Sequence, residues 1–296
     1  MREVMTELKP NQPLILDNCS CVYCGESLDL DKLTKEHVIG RRFVPKGTLN
    51  GHWNLIVQAC QSCNNIKSDL ENDISAITMQ PDVTGRHVHE NESVALIADR
   101  KAENAISRRT KKPVKDSQEQ MSLGGSLSSN VTMSFGLVGP PGIDEDRAFL
   151  LARLQLTAFF FWITYDSSTR RGGYWQDGFQ PVMMVRHEDW GNERMVGFAA
   201  TVRSWRPRIR ACTAEGFFKL VVRRHPTAEC WSWAIEWNQT TRLIGFFGDQ
   251  SVAESIIGQL PKPTMKTVGR GPNVTVRMRT EMAIDPADDL LFAFDD

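Results

Sequence analysis

The sequence predicts an α+β protein in two parts. Three observations carry this. Two Cys-x-x-Cys pairs, Cys21 with Cys24 and Cys60 with Cys63, bracket a stretch that reads as strand, strand, helix. A Ser- and Gly-rich run over 116–130 reads as a flexible linker. Beyond it, a long apolar helix gives way to short segments of period two joined by tight turns, which predicts an antiparallel meander.

The first part covers 15–80. Leu28, Leu30, Leu33 and Val38-Ile39 suggest extended chain ending near His37. Trp53 to Val57 reads as a second short strand. Ile66 and Leu70 stand one turn apart, so 64–78 reads as a helix. A Cys-x-x-Cys turn lets two thiolates reach one ion, and two such turns complete a tetrahedral four-sulfur zinc site. The 35 residues between Cys24 and Cys60 are more than a simple zinc ribbon needs, so that segment carries structure of its own. Four thiolates leave no open ligand position, so this zinc is expected to be structural.

Cys21, Cys24, Glu36, His37, Asn54, Cys60, Cys63, Asn64 and Lys67 together resemble the HNH endonuclease family, the zinc-bearing branch of the ββα-metal nucleases. The run Cys-x-x-Cys-Asn-x-x-Lys, preceded by Asn-Leu, is its most specific part. The resemblance covers about 15–80 and says nothing of the rest. Gly40 stands where a proline often follows the histidine. Asn64 replaces a histidine, a common variant. The spacing from Asn54 to Cys60 is one step longer than usual.

The resemblance implies a metal-dependent endonuclease that hydrolyses DNA phosphodiester bonds and nicks as a monomer. His37 would be the general base, and an ordinary histidine pKa of about 6.5 suits that task. Glu36 and Asn64 would offer oxygen ligands to a catalytic Mg²⁺ or Mn²⁺. Asn54 would bond across the loop and hold the histidine's backbone. Lys67, Arg41 and Arg42 would meet phosphates. Such modules often sit in bacterial restriction or anti-phage defence proteins. The alternative is a non-catalytic zinc-containing protein that binds nucleic acid or a partner. A scaffold of that kind needs the cysteines but not Glu36, His37, Asn54 and Asn64. His52 reads as a loop histidine outside the chemistry. One geometric conflict is visible: neighbours on an extended strand face opposite sides. Glu36 and His37 can serve one phosphate only where the strand bends or ends.

Residues 81–115 are expected as a helical basic extension, with a helix over 93–109. Its far end carries Lys101, Arg108, Arg109, Lys111, Lys112 and Lys115. Two readings stand: a cationic arm on DNA phosphates, or a solvated helix end favoured by the helix dipole.

The linker over 116–130 sets the start of a C-terminal α+β domain, 131–296. Thr132 to Val138 reads as a strand, and 144–164 as a central buried helix because Phe159, Phe160, Phe161, Trp162 and Ile163 cover its faces. Strands are expected at 182–185, 196–202, 217–222, 230–237 and 242–247, then a helix over 249–260. The arginines around Trp205 (Arg203, Arg206, Arg208, Arg210, Arg223, Arg224) read as a solvated strand face, with a nucleic-acid face as the alternative. The acidic and apolar tail from Asp285 reads as docked by its apolar residues, or as a cover over a basic cleft.

The net charge of −1 gives no global pull toward nucleic acid, so any phosphate-binding surface must be local. Zinc thiolates plus three further cysteines, Cys19, Cys212 and Cys230, argue for a reducing, cytoplasmic setting. The first ten residues carry no apolar core, so no signal peptide is expected. No membrane span is expected, since the most apolar run, 148–165, contains Arg153 and Gln155. Besides DNA, a second copy or a protein partner is expected through the C-terminal domain.

Overall fold

The computed structural model describes residues 11–29, 33–82, 85, 91–128, 131–175, 178–270 and 275–293, with only the backbone described over 120–138 and 268–278. It is mixed α and β. Three strands come first: β1 (Leu14–Ile15), β2 (Leu33–His37) and β3 (Leu55–Cys60). β3 is central, parallel to β1 and antiparallel to β2, with His37 opposite Ile56 and Glu36 opposite Val57. α1 (Gln61–Thr78) follows directly, with Cys60 at its N-cap. Strand, strand and helix therefore fall in the expected order.

α2 (Glu92–Asn104) is capped by Asn91, whose side chain accepts from Ser93 N–H. It ends earlier than the 93–109 expected. Ala105 turns extended and is buried, and Val114 N–H bonds its carbonyl at 2.9 Å. That bond folds 105–114 back on itself, so Arg108, Arg109, Lys111 and Lys112 lie on a loop.

The expected linker is not loose chain. β4 (Gln118–Ser128) pairs antiparallel with β5 (Val131–Pro141). Met121 stands opposite Leu137 and Leu123 opposite Phe135. This alternation of apolar and small residues supports a strand, and the Ser and Gly content hid it.

α3 (Glu145–Ile163) is the buried helix expected, capped by Asp144. Next come β6 (Gln180–Arg186) and α4 (Glu193–Val202). Here the strand expected over 196–202 is corrected to helix. Met195, Phe198, Ala199 and Val202 are buried at helical spacing, and Asn192 caps the start by accepting from Met195 N–H at 2.9 Å. The arginine-rich stretch forms β7 (Arg206–Thr213), followed by β8 (Phe218–Arg224), β9 (Cys230–Trp237) and β10 (Thr241–Gly248). The sheet order is β6-β10-β9-β8-β7, antiparallel throughout, so the meander is present. Asn238 and Gln239 take the left-handed conformation that the short β9–β10 turn needs. α5 (Gln250–Gln259) and a two-stranded ribbon, β11 (Met265–Arg270) with β12 (Thr275–Arg279), complete the elements.

One apolar cluster joins the two parts. Cys21, Val22, Trp53 and Leu70 belong to it, together with Phe159, Phe161, Phe218 and Trp237. Trp53 Nε1 donates to Cys212 O at 2.9 Å, and Thr213 Oγ1 returns a bond to Trp53 O at 2.7 Å. Asn238 donates to Phe43 O and to Thr78 Oγ1. Arg147 of α3 reaches Asp69 and Asp73 of α1 at 3.1 and 2.9 Å.

Trp205 and Arg208 are buried, and Trp205 packs on Phe246 and His225, so its ring is not offered for base stacking. The tail docks by both of its characters. Leu291 is buried and Phe292 packs beside it, while Asp289 accepts from the buried guanidinium of Arg242 at 3.0 Å. No helix among the described residues is long and apolar enough to cross a membrane.

Candidate functional site

The cysteines come together first. Cys21 and Cys24 lie on a turn ahead of β2; Cys60 ends β3, and Cys63 sits in the first turn of α1. Gly25 closes the turn in the left-handed conformation, donating to Cys21 O at 2.9 Å. The four Sγ atoms lie within 4.8 Å of one another, with Cys24 and Cys60 at 3.9 Å. Tetrahedral zinc with Zn–S bonds of about 2.3 Å sets sulfurs about 3.8 Å apart. The cluster therefore fits a metal ion such as zinc. Burial pushes the Cys21 thiol up to about 11 and raises Cys63 further. Burial acts upward on Cys60 too, but hydrogen bonds from Cys63 and the other thiols outweigh it and lower that thiol. Tyr174 clasps the turn from the C-terminal half, donating to Cys21 O at 2.6 Å.

β2 then divides the residues predicted for the chemistry. His37, half-buried, faces a groove of about 930 Å³. Arg41, Arg42, Lys46 and Lys101 line it, with His52 and Asn54. No carboxylate is among the described residues that line it. Burial lowers the His37 imidazole below 6.5; Arg41 adds to this, and Glu36 pulls the other way. Lys101 arrives from α2 and donates to Arg42 O. Its burial brings that amine down to about 8.

Asn54 bonds across the loop, to Ile39 rather than to the backbone of His37. Buried beneath the loop after His37, its amide bonds Ile39 at both N–H and C=O.

Glu36 faces the other side of the sheet. Its carboxylate Oε1 stands 2.7 Å from the ammonium of Lys67 and accepts from Tyr23 OH at 3.3 Å. Lys67 is 1% exposed, and its other protons go to Glu71 at 2.6 Å and to His37 O at 3.1 Å. Two expectations are thereby corrected. Lys67 does not face a phosphate, because it is buried and its protons are taken. Glu36 does not offer Oε1 to a divalent cation, because an ammonium and the Tyr23 hydroxyl hold that oxygen. Asn64, half-buried, donates to Thr34 Oγ1 at 3.0 Å, on the same side of β2 as Glu36. The cation set implied for Glu36 and Asn64 thus meets a lysine at Glu36 Oε1 and a hydroxyl at the Asn64 amide nitrogen.

Gly40 now has a reason. Its N–H donates to Glu71 Oε1 at 3.1 Å, which a proline could not do. A Cβ there would lie 2.2 Å from Glu71 Oε2.

Of the basic loop, Arg108 is paired with Asp69 and its N–H bonds Asp73; Arg109 is paired with Glu119. Lys111 and Lys112 are exposed. Sequence reasoning set His52 aside and missed Lys46 and Glu71. His52 lies one residue before the Trp53-Asn54 pair, a signal that was available. Lys46 and Glu71 carry no local signal.

Compared with known protein families, with curated proteins and with solved structures, the chain shows no match.

Proposed function

We propose that the chain is a nuclease that hydrolyses phosphodiester bonds of DNA in the His37 groove. One observation carries this: an imidazole at the wall of a groove whose charged lining, among the described residues, is cationic. Arg41, Arg42, Lys46 and Lys101 hold the phosphate and offset the charge that builds on it in the transition state. His37 takes a proton from water, the water oxygen bonds to phosphorus, and the bond to the 3′ oxygen breaks, its electron pair leaving on that oxygen, which takes a proton from solvent. The four-cysteine centre and Asn54 fix the strand ends on either side. Restriction or anti-phage defence is the setting that goes with such a nuclease.

A specific observation favours a second reading, a zinc-containing protein that binds nucleic acid without cutting it. Glu36 and His37 face apart, so the acid does not share the groove with the base. Supercoiled plasmid separates the two. Nicked circles from the parent protein, absent with His37→Ala, support the nuclease. Binding without nicking, with or without added Mg²⁺ or Mn²⁺, supports the second reading.

A further inference from the structure

Around Lys67 the structure builds a closed cage. The ammonium touches three oxygens: Glu36 Oε1 at 2.7 Å, Glu71 Oε1 at 2.6 Å and His37 O at 3.1 Å. They come from β2, from α1 one turn after Lys67, and from the backbone where β2 ends. Lys67 is 1% exposed, Glu36 is buried, and Glu71 is 14% exposed at its side chain. Tyr23 OH and Gly40 N–H occupy further positions on the same two carboxylate oxygens. An ammonium has three protons to give, and this one has three acceptors.

An oxygen cage of two carboxylates and a carbonyl is also what a hard divalent cation takes, with Mg²⁺ at about 2.0–2.1 Å from each oxygen. The two occupants exclude each other. A metal at that distance from Glu36 Oε1, Glu71 Oε1 and His37 O would lie on top of the lysine nitrogen. Lys67 cannot step aside into water, because helix, strand and loop close around it.

We propose that Lys67 is the resident cation of this site, so that the chain binds no Mg²⁺ or Mn²⁺ at Glu36. Joined to the nuclease reading, on which this second half rests, it follows that phosphate in the groove is met by Arg41, Arg42, Lys46 and Lys101 rather than by a metal. The lysine does for the fold what a metal would do. It draws two acids together and pins the backbone of His37 against α1.

The test is Mn²⁺ binding to the full-length, zinc-loaded protein, read by the loss of the free-ion spectrum in electron paramagnetic resonance. The parent protein is expected to show no saturable site that depends on Glu36, so Glu36→Gln leaves the titration unchanged. Lys67→Met empties the cage, and this variant is expected to gain one Mn²⁺ per chain and a rise in Tm on adding the ion. Parent protein that takes up one Mn²⁺, lost with Glu36→Gln, overturns the proposal. The parent titration decides even if Lys67→Met fails to fold. Nicking that persists when divalent ions other than the bound zinc are withheld adds support, and nicking that requires Mg²⁺ overturns it. The Mn²⁺ titration needs no activity, so failure of the nuclease reading does not carry the cage with it.

Discussion

The side-chain amide of Asn54 grips Ile39 at both polar ends of its backbone, accepting from N–H at 3.2 Å and donating to C=O at 2.7 Å. Both residues are buried. Asn54→Leu strands two backbone groups away from water, at about 1–3 kcal/mol for each group left unbonded. The variant is expected to unfold at lower urea and to nick more slowly, since His37 lies two residues before Ile39. An unchanged urea midpoint shows that the loop stands without the clamp.

His37→Ala is expected to slow nicking by about 10²–10⁴-fold, the usual worth of a general base. Zinc content and DNA affinity should stay at the parent level. Burial first, then Arg41, holds the imidazole below 6.5. The base form is the neutral one, so it persists as pH falls through 6.5, and the acid limb of the rate lies below that value. Arg41→Gln should move the limb upward. A limb above 6.5 in the parent, or parent-level cutting by His37→Ala, removes this histidine from the mechanism.

Lys101 titrates at about 8, because burial disfavours its charged form. It supplies positive charge to the groove below that pH and loses it above. Affinity for a short DNA duplex is expected to fall as pH rises through about 8. Lys101→Met should remove that step and bind weakly throughout. A binding curve with no inflection there assigns Lys101 to the fold alone.

Arg41 and Arg42 line the groove, while Arg108 and Arg109 are held by Asp69 and Glu119. Neutralising each groove arginine should flatten the salt dependence of DNA binding by about 0.9 in log–log slope for each phosphate it had neutralised. Arg108→Gln should leave that slope alone. The opposite pattern returns the basic loop to DNA.

Zinc loss is expected to reach beyond 15–80. Cys21, Val22 and Trp53 share one apolar cluster with Phe159, Phe218 and Trp237. In small zinc modules the metal contributes about 10–16 kcal/mol of apparent free energy. Cys63→Ser should therefore lower zinc to below one per chain and loosen the meander as well, seen as faster amide exchange in β8 and β9. Native-like protection there would show that the C-terminal part stands by itself, as would a well-folded 131–296 fragment.

The cysteine centre, the strand–strand–helix order, α3 and most of the meander were legible in the chain because each rests on local information. Cys-x-x-Cys is a turn with two ligands whatever surrounds it, and alternation or one-turn spacing names a buried face. Residues 196–202 misled because a short apolar run fits either period, and only packing of Met195, Phe198 and Val202 against the sheet decides for α4. β4 was hidden because pairing with β5 outweighs the poor strand propensity of Ser and Gly.

The site divides the same way. Sequence by itself marked His37, Glu36, Asn54 and Asn64 as candidates for chemistry, and showed that four thiolates can share one ion. It could not say which of them face one another. Adjacent residues on β2 point apart, and what meets each side chain comes from far along the chain: Arg41 and Lys101 to the His37 side, Lys67 and Glu71 to the Glu36 side. Charge pairing acts through space over a few ångströms, so whether Glu36 meets an ammonium or a metal was set by how α1 packs on β2, and only the tertiary structure decided it.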